Sequence, residues 1–272
     1  MTRVGREVGG PPAAVAADAL AKATLVVRGL TVTFGAVRAV SDVDLTVDEG
    51  TIVGLVGPNG CGKTTTLRAI AGLVAPSSGA VGVQGADGGS IPARHRTAVV
   101  PDEPSGLDEL AVAEYLELVA ALWRADPGFT RRAHVLLDAF ELTRRRRTPL
   151  RALSHGQRRL VSVVGAVALD RPLLLIDEVT AALDPEAVIT LREVLVNVAA
   201  RGGAVLLATQ DLHFAECVCD CVTLVSAGRV VAEGPLDELR TRYGACSLEA
   251  IFVTALGAAE RLESVRRALE AL

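Results

Sequence analysis

Residues 52–65 constrain this chain more than any other stretch. Ile52-Val53-Gly54-Leu55-Val56 is a continuous apolar run, the pattern of a strand buried on both faces. It leads directly into Gly57-Pro58-Asn59-Gly60-Cys61-Gly62-Lys63-Thr64-Thr65, and a helical period follows to about Leu73. The spacing is G-x-x-x-x-G-K-[ST], and the strand before it and helix after it are the context that this spacing needs. Glycines let the backbone curl so that successive N–H groups converge on phosphate oxygens. The helix N-terminus adds partial positive charge. Lys63 can then reach β- and γ-phosphates, and the Thr64 hydroxyl can reach Mg²⁺. A plain turn between strand and helix asks for the glycines alone, not for the lysine and the hydroxyl as well.

Basic residues sharpen this reading. Of 28, only Lys22 and Lys63 are lysine. A chain that writes nearly all its positive charge as arginine keeps lysine where a compact, flexible ammonium is wanted.

Strand and helix periods alternate along the rest of the chain. Residues 24–34 and 43–47 read as strands, and order is expected to begin at Thr24 after an Ala-, Gly- and Pro-rich disordered arm over 1–23. Thr97–Val100 reads as a strand, Glu109–Trp123 and Arg131–Glu141 as helices, Gln157–Leu169 as a helix, and Leu173–Ile176 as a buried strand. Pro185 suits the first turn of a helix reaching Ala200, with strands at Ala204–Ala208 and Val222–Val225 beyond it. The fold class is α/β: a P-loop NTPase core with a mostly parallel sheet, an N-terminal antiparallel β part and a helical insertion over about 102–156. The domain is expected to span 24–255, with an amphipathic C-terminal helix over 256–272.

Composition removes several function classes. Apolar residues make up 50% of the chain, which excludes disorder throughout. A net charge of −4 argues against a broad nucleic-acid face, and 3% aromatics leave little to stack on bases. No apolar run reaches the ~18 residues of a membrane span. Arg3 and Arg6 are followed at once by Glu7, which makes a poor export signal, so the five cysteines are expected to be reduced thiols in the cytosol.

Two further motifs complete a site. Leu173–Ile176 ends in Asp177-Glu178. Strand ends expose the ligand site of an α/β sheet, so Asp177 can hold Mg²⁺ and Glu178 can polarise an attacking water. Leu153-Ser154-His155-Gly156-Gln157 opens the helix that precedes this strand and offers a second anion cradle.

With these residues the chain resembles the nucleotide-binding subunits of ABC transporters, whose signature is LSGGQ. The resemblance covers about 24–255 and implies ATP and Mg²⁺ as ligands. It implies a head-to-tail dimer with a second ABC ATPase subunit, identical or related, in which Ser154, His155, Gly156 and Gln157 meet the γ-phosphate on the other subunit's P-loop. Phe34 falls where the family stacks an aromatic on adenine. Ala182-Leu183-Asp184 matches the loop that crosses the dimer seam, and Asp184 can equally cap the helix at Pro185.

Two positions depart from that pattern. The family usually has glutamine after the strand ending at Pro101, where this chain has Asp102, a carboxylate able to coordinate Mg²⁺. It usually has a histidine after Thr209, where this chain has Gln210, which donates a hydrogen bond but cannot be protonated near neutral pH. Fast hydrolysis is thereby put in question.

The resemblance implies an ATPase that powers a separate multi-span membrane permease from the inner face of the membrane. The stretch 233–252 resembles exporters of the drug and polysaccharide class. The permease is expected to dock around Ser105–Tyr115. The alternative is a hydrolysis-impaired regulatory subunit of an asymmetric complex. An ABC protein working on DNA or ribosomes would need a second cassette or a coiled coil and a basic face, none of which the sequence carries. Cys217, Cys219 and Cys221 lack the histidine pair of a zinc set and read as ordinary packing. Arg144–Arg147 reads as a solvated loop, and His213 as a surface helix residue.

Overall fold

The chain enters on β1 (Ala23–Phe34) and β2 (Val37–Asp48), paired antiparallel across a tight turn where Gly35 takes φ +57°. β3 (Ile52–Val56) leads into α1 (Lys63–Ile70). β4 (Ser78–Val83) returns to pair with β1, and β5 (Ala86–Asp87) pairs with β4. α2 (Ile91–His95) leads to β6 (Thr97–Val100), followed by α3 (Val112–Leu122), α4 (Phe129–Ala139) and α5 (His155–Ala168). The remainder alternates: β7 (Leu173–Asp177), α6 (Pro185–Ala200), β8 (Ala204–Thr209), α7 (Leu212–Val218), β9 (Cys221–Ser226), β10 (Arg229–Pro235), α8 (Leu236–Tyr243) and α9 (Leu248–Ala255). The structure is a computed structural model and describes residues 23–102 and 107–256.

Two sheets result. One is antiparallel with order β2-β1-β4-β5. The other has order β10-β9-β3-β8-β7-β6, parallel throughout except for β10 at its edge. β3 therefore sits between β9 and β8, with its apolar run covered on both sides.

The continuous apolar runs follow from this layering. In β7, Leu173 and Leu175 join the core beneath the antiparallel sheet and α1, while Leu174 and Ile176 join the core beneath the helices on the other face. β8 divides in the same way: Leu206 lies in the first core, Val205 and Leu207 in the second. With both faces covered, alternation disappears from the sequence. Truncating Leu206, fully buried, to Ala is expected to cost about 2–5 kcal/mol.

The strand expected over 43–47 extends to 37–48, because its pairing with the long β1 runs from Val37 opposite Phe34 to Asp48 opposite Ala23. Several helices begin one to three residues away from their expected starts, as for α5 at His155, where the Ser154 cap sets the boundary. β4, β5, α2 and β10 are short or Gly-rich and give little periodic signal. Ala23 is already in β1; the rest of the arm expected over 1–23 lies outside the described residues. So does the helix expected over 256–272, apart from Leu256, which caps α9. Arg144–Arg147 is exposed.

Candidate active site

The loops at the C-terminal ends of β3, β7 and β8 meet at one place, because these strands are parallel neighbours in the order β3-β8-β7. Each delivers one part of the site. β3 delivers the glycine-rich turn, β7 delivers Asp177 and Glu178, and β8 delivers Thr209 and Gln210.

The turn explains its own glycines. A Cβ on Gly57 would stand 2.2 Å from the Val225 carbonyl oxygen, and one on Gly62 would stand 2.4 Å from that of Ala39. Gly62 also takes φ +107° as the cap of α1. A Cβ at Gly60 would meet nothing within 4 Å, so that side of the loop is open to an incoming group. Cys61 is buried, and burial pushes its thiol above the ordinary range.

Lys63 is buried at the first position of α1. Its Nζ donates to the carbonyls of Gly57 at 2.8 Å and Pro58 at 3.2 Å, and lies 3.1 Å from Glu178 Oε1. That carboxylate oxygen is buried and receives no directed hydrogen bond. Glu178 Oε2 accepts from the Gln210 backbone N–H at 3.2 Å, and the Glu178 N–H donates to the Ala208 carbonyl at 2.9 Å. Thr64 Oγ1 donates to Asp177 Oδ1 at 3.2 Å.

Asp177 is 6% exposed. Burial, and then the charges of Asp102 and Glu178, hold its carboxyl above the usual carboxylate range against the opposing Thr64 hydrogen bond. The donor set suits a small hard cation, since a hydroxyl and a carboxylate are oxygen ligands and the local excess is negative. Among the described residues no group of three His, Cys, Asp or Glu side chains is arranged to hold an ion alone. Mg²⁺ bound by one carboxylate and substrate phosphates needs no such group.

Phe34 ends β1 with half of its surface exposed, beside the exposed Val37. Ser154 caps α5: its hydroxyl accepts from the Gln157 N–H at 3.1 Å, and Gln157 Oε1 accepts from the Ser154 N–H at 3.2 Å. Ser154 and His155 are exposed and Gly156 is buried. A Cβ on Gly156 would stand 2.4 Å from the Ala182 carbonyl oxygen, which joins this motif to the loop carrying Asp184. Asp184 caps α6, accepting from the Ala187 N–H at 2.8 Å. Among the described residues no hydrogen bond or ion pair links 154–157 to the turn at 57–65 of the same chain.

Asp102 directs its carboxylate to Arg159 rather than to Thr64 or Asp177. Arg159 is a site residue that the motif pattern does not flag. It lies on the face of α5 that carries Gly156, Leu160, Val163 and Val167, all buried. A cation on an apolar stripe is the one signal of it in the sequence. His213 is exposed, its Nε2 3.9 Å from Cys217 Sγ. Cys219 is buried and Cys217 exposed. Ser105 lies outside the described residues. Among the described residues no helix is long and apolar enough to cross a membrane.

The family model described as ABC transporter matches residues 40–181. The chain is similar to "Nod factor export ATP-binding protein I" of Cupriavidus pinatubonensis, 36% identical over 86% of this chain and 73% of that protein. It is 33% identical to "Daunorubicin resistance ATP-binding protein DrrA3" of Streptomyces coeruleorubidus, over 89% of this chain and 78% of that one. Among solved structures, "Structure of ATP binding subunit of ABC transporter" superposes with a TM-score of 0.81 at 35% identity, over 86% of this chain and 99% of that one.

Proposed function

This chain belongs to the ABC transporter family as an ATP-binding, ATP-hydrolysing subunit that powers a separate permease, and from that premise we propose how its residues divide the work. The carrying observation is the convergence of Lys63, Thr64, Asp177 and Glu178 beyond the C-terminal ends of the parallel strands β3 and β7. The N–H groups of residues 57–65 cradle the phosphates of ATP, Lys63 faces the β- and γ-phosphates, and Phe34 stacks on the base. Thr64 and Asp177 hold Mg²⁺, which when bound would neutralise phosphate charge and polarise the γ-phosphoryl oxygens. Glu178 orients and polarises the attacking water, with Gln210 beside it as a hydrogen-bond donor.

The exposed Ser154 and His155, with no bond to their own turn, support a second copy or a related subunit as the partner of this motif. In that head-to-tail pair, Ser154 and its helix N-terminus face the γ-phosphate of the opposite subunit. The permease sits in the membrane and this subunit lies on its inner face. Relatives named for Nod factor export and daunorubicin resistance support export as the direction. Nothing among them favours the hydrolysis-impaired regulatory alternative.

Two measurements test the assignment. Phosphate release by the native chain should fall to background in Glu178→Gln. In sedimentation, ATP should convert Glu178→Gln from monomer to dimer, and adding Ser154→Arg should abolish the shift. A dimer that forms equally well without nucleotide rejects the head-to-tail arrangement.

A further inference from the structure

Arg159 is 4% exposed. Its Nε donates to the Asp102 carbonyl at 3.1 Å, and Nη1 donates to the carbonyls of Glu178 at 2.5 Å and Ala181 at 2.7 Å. Nη2 is ion-paired with the Asp102 carboxylate. A single side chain from α5 thus ties the point where the chain leaves β6 to two points on the loop after β7. Glu178 and Ala182 in that loop take φ of +46° and +70°. Residues other than glycine keep such a conformation only where the surroundings over-determine it. A guanidinium can do this because its donors lie in one rigid plane; an ammonium could not span the same carbonyls. Burial of the cation in turn needs a counter-charge, and Asp102 is the carboxylate paired with it.

We propose that Arg159, held by Asp102, is a positioning residue for hydrolysis: it fixes the backbone from which Glu178 reaches the attacking water and sets the loop leading to Asp184. Asp102 then serves this clasp and not Mg²⁺. The inference rests on the ATPase reading of the same site. It has a second consequence. Asp102 stands just past the end of β6 at Val100, where the chain turns into the helical insertion, so a displacement of the chain there is transmitted to Glu178 through one side chain.

The test is steady-state phosphate release by the full chain at varied ATP and Mg²⁺. The variants are Asp102→Ala, Asp102→Asn, Arg159→Met, Arg159→Lys and the double Asp102→Ala/Arg159→Met. Misplaced backbone should lower kcat ~10–100-fold in Asp102→Ala and Arg159→Met, with KM for ATP and half-saturation by Mg²⁺ changed less than about 2-fold. The double variant should be no worse than the poorer single, because the two residues act through one another. Asp102→Asn keeps an oxygen facing Nη2 and should retain more activity than Asp102→Ala. Where Arg159→Met does not fold, Arg159→Lys and Asp102→Asn carry the same comparison. Additive losses, or unchanged kcat in both single variants, overturn the clasp. A several-fold rise in Mg²⁺ half-saturation confined to the Asp102 variants overturns it in favour of metal ligation. A native chain with no phosphate release removes the ATPase reading and the inference with it.

Discussion

Lys63 Nζ stands 3.1 Å from Glu178 Oε1, so the cation proposed to face phosphate and the carboxylate proposed to face water neutralise one another within the chain. Both are largely buried, at 5% and 14% side-chain exposure. ATP must therefore compete with Glu178 for the ammonium.

Replacing the ammonium should weaken ATP binding directly. Lys63→Ala loses a charged hydrogen bond to phosphate, and calorimetry should record an affinity lower by about 30–150-fold. The converse follows from the ion pair: Glu178→Gln frees Lys63 and should tighten ATP binding by about 5-fold while turnover collapses. Unchanged affinity in a folded Lys63→Ala protein would remove the phosphate assignment.

Asp177 makes the nucleotide-free protein sensitive to pH. Its carboxyl holds a proton more tightly in the folded state than at the ordinary value of 3.8. Between those two values the folded state carries more protons than the unfolded chain, so stability falls as pH rises through the window and stays lower above it. Asp177→Asn keeps an acceptor for Thr64 and removes the charge. Its melting temperature without nucleotide at neutral pH should be ~2–4 °C above that of the native chain, and the dependence on Mg²⁺ for ATP binding should disappear. A lower melting temperature would contradict this account.

Gln210 enters through its backbone N–H, which donates to Glu178 Oε2 at 3.2 Å and places the residue next to that carboxylate. An imidazole there could carry charge as the phosphoryl group leaves, which an amide cannot. Gln210→His should raise phosphate release at saturating ATP by up to ~10²-fold with ATP affinity nearly unchanged. No change in rate, or a native turnover already at ~1–10 s⁻¹, would show that position 210 does not limit the reaction.

Gly156→Ala should act across a contact rather than through the helix it begins. The new methyl would collide with the Ala182 carbonyl oxygen at 2.4 Å. Overpacking of this size should lower the melting temperature by about 2–10 °C and turnover with it, while the ATP affinity of the isolated chain stays unaltered. A variant as stable and as active as the native chain would show that the loop before α6 yields freely.

The sequence by itself determined the chemistry that lies close along the chain. Residues 57–65 carry their conformational demands in their own glycines, and Leu173–Glu178 carries its burial and its charge in consecutive residues. The caps at Ser154 and Asp184 are likewise local, each made with an N–H three residues on. Local backbone geometry is written in local residue types, so these features were legible before any folding was considered.

The tertiary structure decided the relationships between segments far apart in the chain. Asp102 reads as a carboxylate available to a metal until α5 packs against β6 and brings Arg159 to it. Gly156 reads as part of a signature, and only the fold shows the loop at Ala182 closing on it. Lys63 and Glu178 face one another only because β8 separates β3 from β7 and all three run parallel. Strand order and helix packing are set by the burial of many apolar residues at once. No single position records them, so the clasp, the contact and the ion pair emerge only from the folded chain.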